Sequence, residues 1–351
     1  MRIIVNDIAA SQSGALTVLK SFYEYVKEHD KENEYVFLLS DRYLKETERI
    51  KVCICKNVKK NGFEKLRFDF ITGKRFIEKL HPDYVLSLQN IITFGLKCRQ
   101  GVYIHQAIPF QNTKKFSFLK KSERVYAVYQ YLIGGIIKKS IKKSDDVFVQ
   151  TEWMKKSVKE KTGVNERKIH VVPFEVSLEH RQKTDSVNVN QFFYPTVDEN
   201  VYKNQKCIYD ACKILLDQGI KNFEMTFTLV PNGKRKNGNI NYCGFLDKEN
   251  LFKCYKEKIL IFPSYIETVG LPLLEARSVG GIIFVADCPY AHEVLGDYEN
   301  AYFFDPMSAI DLAELMRKAI ENKISLQKSE SAGIEERKGT WQIVINQVVK
   351  K

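Results

Sequence analysis

Short apolar runs recur along the chain, each followed by a polar turn and then by a stretch with apolar positions three and four apart. "RIIVNDI" (Arg2–Ile8) is the first run; the turn "AASQSG" and an amphipathic stretch near Ala15–His29 follow it. "YVFLLS", "YVLSLQN" and "VYIHQAI" repeat the apolar theme. "SDDVFVQT" precedes a helix near Glu152–Thr162, and "KIHVVPF" closes the series. Strands that read as continuous apolar runs are buried on both faces, so this alternation predicts a parallel sheet covered by helices on both sides.

After Phe174 the pattern breaks into a polar stretch, "SLEHRQKTDSVNVN" (Ser177–Asn190), which reads as a linker. The alternation then restarts with "QFFYP", a helix near Gln205–Gln218, "MTFTLV", "INYCGF" and "KILIFPS". A helix near Pro272–Val279, "GIIFVAD" and "AYFFDP" complete it. With 351 residues the chain exceeds one ordinary core. The expected division is a first α/β domain over 1–178 and a second over 186–325. The apolar helix "TWQIVINQVVKK", about 339–351, follows a polar gap and is placed to pack back on the first domain. Two doubly wound domains facing a central cleft would offer ligand sites at the carboxyl ends of their strands.

Composition narrows the classes. No apolar run approaches the ~18 residues needed to span a bilayer. The start "MRIIVNDIAA" reads as a strand, because Asp7 interrupts it before a signal-peptide core could form. A cytoplasmic protein, or one held at the inner face of the plasma membrane, is expected. The Cys fit that compartment: Cys53-x-Cys55 is the one close pair, without further ligands nearby, so neither metal nor disulfide is expected. The net charge is +12, and Asn112–Lys168 concentrates it, with 15 Lys+Arg against 6 Asp+Glu. Such a segment points to a polyanionic partner or to a solvated basic face.

The chemistry gathers in "IFPSYIETVGLPLLEARSVGG" (Ile261–Gly281). Pro272 suits the first turn of a helix, where its missing N–H costs nothing. Glu275 then projects from the helix start while Glu267 stays in the preceding loop. Free N–H groups at that start favour an anion, and Gly270 lets the backbone approach it. The two carboxylates are poor phosphate ligands but good acceptors for hydroxyls. A ligand with sugar hydroxyls on both sides of a phosphate group fits: a nucleotide sugar.

Here "PSYIETVGLPLLEARSVGG" resembles the signature of glycosyltransferase family 4, a Glu, seven residues and a second Glu within a Pro-Ser…Gly-Leu-Pro…Glu-Ala pattern. The resemblance implies a GT-B fold, two Rossmann-like domains, and a retaining transferase without a metal at the diphosphate. It gives Glu267 the transferred sugar's hydroxyls and Glu275 the ribose, with backbone contacts from Gly270 and Leu271. "YKNQKCIYDACKILLDQG" looks like the family's Lys-Asn motif before a helix, so Lys203 becomes the cation for the diphosphate and Asn204 a further donor. The Arg that often precedes that Lys is missing from "FFYPTVDENVYKN". "NYCGFLDKENLFKCY" resembles the nucleobase loop, setting Phe245 and Leu246 against the base or into the core. In the first domain, Ser13 and Gly14 stand where the family has its glycine loop. His105 matches a His near the reacting sugar, and Asn90 lines the acceptor side. "YPTVDENVYKN", "SLQN" and "IHQAIPF" look closest to the bacterial branch that builds O-antigen, capsule or related surface polysaccharides.

That branch implies a lipid-linked oligosaccharide acceptor. In "KKFSFLKK", Lys114, Lys115, Lys120 and Lys121 are interleaved in one short stretch with Phe116 and Phe118. Such interleaving predicts peripheral binding to an anionic membrane, each nearby Lys adding about 1 kcal/mol. In the opposing reading both Phe pack inward. A GT-A enzyme is disfavoured because no Asp-x-Asp ends a strand; Asp145-Asp146 precedes one. Two other readings stay open. A nucleic-acid or polyanion binding protein lacks a recognised motif, and an inactive GT-B relative would explain the missing Arg.

Overall fold

The computed structural model describes residues 1–10, 13–174, 184–196, 198–229, 236–327 and 340–350. From the N-terminus come β1 (Arg2–Asn6), α1 (Ser13–His29), β2 (Glu34–Leu39), β3 (Ile50–Ile54), α2 (Gly62–Arg67), α3 (Gly73–Glu78), β4 (Tyr84–Ser87) and β5 (Arg99–Ile104). Then follow α4 (Arg124–Ala127), α5 (Gly134–Lys143), β6 (Asp146–Val149), α6 (Glu152–Thr162) and β7 (Ile169–Val171). The next elements are β8 (Asn188–Tyr194), α7 (Gln205–Asp217), β9 (Glu224–Phe227), β10 (Lys236–Asn237), β11 (Ile240–Tyr242), α8 (Lys248–Glu257) and β12 (Lys258–Phe262). The last are α9 (Leu271–Ser278), β13 (Ile283–Ala286), α10 (Pro289–Leu295), β14 (Ala301–Phe304), α11 (Ala309–Ile320) and α12 (Gln342–Val348).

The chain divides into two units, Met1–Glu175 with Arg337–Lys351, and Val176–Glu336. In the first, a seven-stranded sheet runs β3-β2-β1-β4-β5-β6-β7, every pairing parallel. Ile4 lies opposite Val36 on one side and Val85 on the other, so β1 is central and apolar on both faces. The strand order reverses direction between β1 and β4, and a doubly wound sheet opens its ligand crevice at that point. Phe22, Tyr35, Phe37 and Tyr103 form one core face, and Trp341 with Val344, Ile345 and Val348 of the following α12 closes it. Trp341 meets Phe22 edge-on at 5.0 Å and donates its Nε1–H to the Ser21 hydroxyl at 2.8 Å.

In the second unit the order is β10-β11-β9-β8-β12-β13-β14. All pairs are parallel except the β10–β11 hairpin. Its reversal falls between β8 and β12. The stretch read as a linker is shorter than expected: Asn188–Asn190 already belong to β8, where Asn188 pairs with Lys258. The rest of that stretch before Thr184 lies outside the described residues. Strand β3 and helices α2, α3, α8, α10 and α11 add to the elements read from the pattern.

Candidate active site

In the second unit, β8 and β12 are neighbours, and the loops at their carboxyl ends are stitched together. The Tyr202 carbonyl accepts from the Tyr265 N–H at 3.1 Å and the Ser264 hydroxyl at 3.3 Å. That stitching sets Lys203, after β8, beside Glu267, after β12. The Lys203 Nζ donates to Glu267 Oε1 at 2.6 Å, with both side chains mostly buried. The Lys203 ammonium also stands 5.7 Å from the centre of the Tyr202 ring. The two candidate charges thus meet directly across 64 residues of sequence.

Asn204 adopts the left-handed conformation, φ 56°. Its side-chain amide donates to the Pro263 and Pro306 carbonyls at 3.2 and 2.7 Å. This commits the group to bracing the loops after β12 and β14, and corrects its expected role as a diphosphate donor. Lys206 turns away along α7 to pair with Asp210 at the surface.

Gly270 precedes α9 with φ +76°, and no side chain caps the helix. A Cβ there would stand 3.2 Å from the Tyr290 ring and 3.3 Å from Leu273, so both conformation and space ask for glycine. Tyr290 is fixed by donating its hydroxyl to the Ser264 carbonyl at 2.5 Å. Leu271 is the first residue of α9 and half-buried, and Pro272 follows it. Glu275 lies one turn further on, and its Oε2 accepts from the Tyr255 hydroxyl at 2.8 Å. Phe245 is 91% exposed, which removes the core reading for it, and Leu246 is half-buried. Both precede α8, whose start Asp247 caps by accepting from the Asn250 N–H at 2.8 Å.

In the first unit, Ser13 and Gly14 open α1, and a Cβ at Gly14 would meet open space. Asn90 follows β4 in the left-handed region, φ 66°. Its Oδ1 accepts from the backbone N–H of His105 and Gln106 at 2.8 and 3.0 Å. Both acceptances fix which end of the amide is oxygen, so its nitrogen faces His105 Nε2 at 3.1 Å. Nε2 is therefore the acceptor, and the ring proton resides on Nδ1. Among the described residues Nδ1 has no hydrogen-bond partner. Burial holds the His105 pKa down at about 4, so the ring is neutral at physiological pH. At the end of β1, Asp7 is buried and its two carboxylate oxygens find no hydrogen-bond partner among the described residues. Burial pushes this carboxyl up to about 7, against attraction from Lys59 and Lys65. Pattern reading did not single it out, because nothing in the sequence marks a strand-end Asp as unpaired.

The basic segment is arranged differently from its expected form. Phe116 is 3% exposed: its ring lies 5.2 Å from Tyr126, and its N–H donates to Gln130 Oε1 at 2.9 Å. That corrects its assignment as a membrane anchor. Phe118 is exposed, as expected. Lys114 and Lys120 lie 3.4 and 3.7 Å from Glu123 Oε1, and Lys115, Lys120 and Lys121 are exposed. The apolar groups in solvent here include Leu119, Val125, Tyr129 and Leu132. A π-helical turn over Val128–Ile133 joins α4 to α5 and shifts the phase of the faces. No described helix is long and apolar enough to cross a membrane. Among the described residues no three His, Cys, Asp or Glu converge as metal ligands.

Residues 232–337 match the model of the glycosyl transferases group 1 family. The chain is 23% identical over 294 residues to the O-antigen chain mannosyltransferase RfbU of Salmonella typhimurium, covering 72% of this chain and 77% of that one. Among solved structures it resembles the apo form of the lipopolysaccharide outer core galactosyltransferase WaaB, with TM-score 0.65, 14% identity and 99% of each chain covered. WaaG, a glycosyltransferase involved in lipopolysaccharide biosynthesis, gives TM-score 0.63 at 14% identity over 92% of this chain and 90% of that one. Anabaena HepE, solved with UDP and glucose, gives 0.62 at 14% identity over 99% and 97%. The chain is a glycosyltransferase of the GT-B fold, with a glycosyl transferases group 1 domain in its second unit.

Proposed function

We propose that this enzyme is a retaining transferase that moves a sugar from a nucleotide-sugar donor to a growing, polyprenyl-diphosphate-linked surface glycan. The observation that carries the donor half is the Lys203–Glu267 pair at 2.6 Å, set at the β8–β12 reversal beside the glycine-started helix that bears Glu275. In this reading the cation for the diphosphate and the carboxylate for the sugar hydroxyls lie on the loops after neighbouring strands, and the carboxylate for the ribose on the helix that follows. The names of RfbU, WaaB and WaaG support a surface-glycan product, and the UDP and glucose held by HepE support the donor class.

In this reading Lys203 and the α9 start stabilise the departing nucleoside diphosphate, a preorganised electrostatic contribution. Glu267 orients the sugar as positive charge develops on it, and Glu275 holds the ribose. Gly270 and Leu271 offer backbone groups, and Phe245 with Leu246 flanks the base. The first unit takes the acceptor, with Ser13 and Gly14 at the start of α1 and Asn90 on the loop after β4. His105 supplies a neutral hydrogen-bonding ring held by Asn90. The reaction uses no metal or cofactor. The enzyme works in the cytoplasm, recruited to anionic lipid at the inner face of the plasma membrane through Lys115, Lys121, Phe118, Leu119 and their neighbours.

Thermal shifts against UDP-, GDP- and dTDP-sugars test the donor class. One nucleotide series should raise the melting temperature of the wild type, and Glu275→Ala should weaken that binding by roughly tenfold or more. No response to any nucleotide sugar would overturn the reading.

A further inference from the structure

Helix α8 does not appear in the motif that carries the two glutamates, yet it reaches one of them. Tyr255, near the end of α8, is 1% exposed, and its hydroxyl donates to Glu275 Oε2 at 2.8 Å. The ring has little freedom. Phe193 meets it edge-on at 5.8 Å and Phe252 at 5.5 Å. The Tyr255 carbonyl abuts Gly281, where an added Cβ would stand only 2.4 Å away. The end of α8 is therefore seated against the turn that follows α9. Burial and the neighbouring Glu275 charge push the Tyr255 pKa well above its ordinary value, so the hydroxyl keeps its proton and remains a donor.

A carboxylate on a flexible side chain can rotate, and rotation moves its lone pairs away from a bound diol. A donor rigidly placed on one oxygen stops that rotation, and one hydrogen bond does not exhaust the roughly four lone-pair sites of the group. We propose that Tyr255 is a positioning residue for nucleotide recognition: its buried hydroxyl fixes the Glu275 carboxylate in the orientation that accepts the ribose hydroxyls. The inference rests on the ribose role proposed above for Glu275. It assigns the discrimination between ribose and deoxyribose to a side chain in the core of the second unit.

The test uses the full chain and two probe pairs, UDP with 2′-deoxy-UDP and GDP with 2′-deoxy-GDP, with dissociation constants measured by calorimetry. For the base that binds, the wild type should favour the ribonucleotide by roughly tenfold, and Glu275→Ala should erase the preference. Tyr255→Phe, which keeps the ring and its edge contacts, should cut the preference to about threefold or less. In the Glu275→Ala background the same change should leave both dissociation constants alone, which a merely structural tyrosine would not do. If Tyr255→Phe keeps the full preference while Glu275→Ala loses it, the positioning role is overturned. If the wild type shows no preference, or Glu275→Ala retains one, the ribose role of Glu275 falls, and this inference with it.

Discussion

Breaking the Lys203–Glu267 pair should cost more than removing a surface ion pair, and by an amount the geometry bounds. The side chains are 23% and 17% exposed with the charged atoms 2.6 Å apart. Exposed pairs contribute about 0–1 kcal/mol, whereas hydrogen bonds to charged groups contribute about 1.5–3 kcal/mol. Mostly buried but still wetted, this pair belongs between the two, with a coupling of about 1–2 kcal/mol. Lys203→Met and Glu267→Gln should each lower stability by more than half of that, since each leaves a charge with less compensation. The double variant should lose less than the two singles added together, by about 1–2 kcal/mol. In a unit of this size 1 kcal/mol corresponds to roughly 2–4 °C in melting temperature.

The readout must report the second unit. The chain has 2 Trp, and both, Trp153 and Trp341, lie in the first. Far-UV circular dichroism or scanning calorimetry, which do not depend on those two residues, should therefore register the loss. Adding the nucleoside diphosphate that the wild type binds should shrink the coupling, because its oxygens compete with Glu267 for the ammonium. Strict additivity of the two substitutions without ligand would refute the claim that these side chains act on each other.

Two further expectations follow from the first unit. Burial raises the Asp7 carboxyl from 3.8 to about 7. A raised carboxylate binds its proton better in the folded state, so its contribution is present below pH 4 and is lost as pH rises through 7, by about 4 kcal/mol. Asp7→Asn should therefore gain on the wild type, in tryptophan-monitored urea unfolding, between pH 4 and 8; a difference independent of pH would refute the assignment. The second concerns Leu119, 89% exposed, with Val125 and Leu132 also in solvent. Changing all three to Ser should reduce co-sedimentation with anionic vesicles without altering the melting temperature. Equal pelleting with neutral vesicles, or undiminished pelleting of the variant, would count against membrane docking.

Much of this molecule is written in local pattern. A parallel strand buried on both faces must be apolar at nearly every position, so β1, β2, β12 and β13 announce themselves over four to six residues. Strand β3 is different. Its residues past Ile50 are only half-buried or exposed at the sheet edge, so "IKVCI" carries a Lys and a Cys where a central strand would not. Helix α11 had a legible signal, with Ser308 capping and Leu312, Ala313, Met316 and Ala319 on one face, but it lies beyond the motif-bearing strands. The Glu267–Glu275 spacing and the Lys203 turn are likewise local, because each is fixed by one loop and one helix start.

What resisted reading is what depends on contact across the fold. Lys203 meets Glu267 over 64 residues, Tyr255 meets Glu275 over 20, and Asn90 grips His105 over 15. No periodicity encodes these separations; they follow from the strand order β9-β8-β12 in one sheet and β1-β4-β5 in the other. Phe116 shows the same limit on a small scale. In "KKFSFLKK" the apolar residues are bracketed by Lys pairs on both sides, so no face is specified. The choice fell to Tyr126 and Gln130, which take Phe116 inward and leave Phe118 and Leu119 outside. Tertiary partners thus decide which members of a mixed segment become anchors. The strand ends then gather residues scattered along the sequence into one chemical unit, because each loop after a central strand opens on the same edge of its sheet.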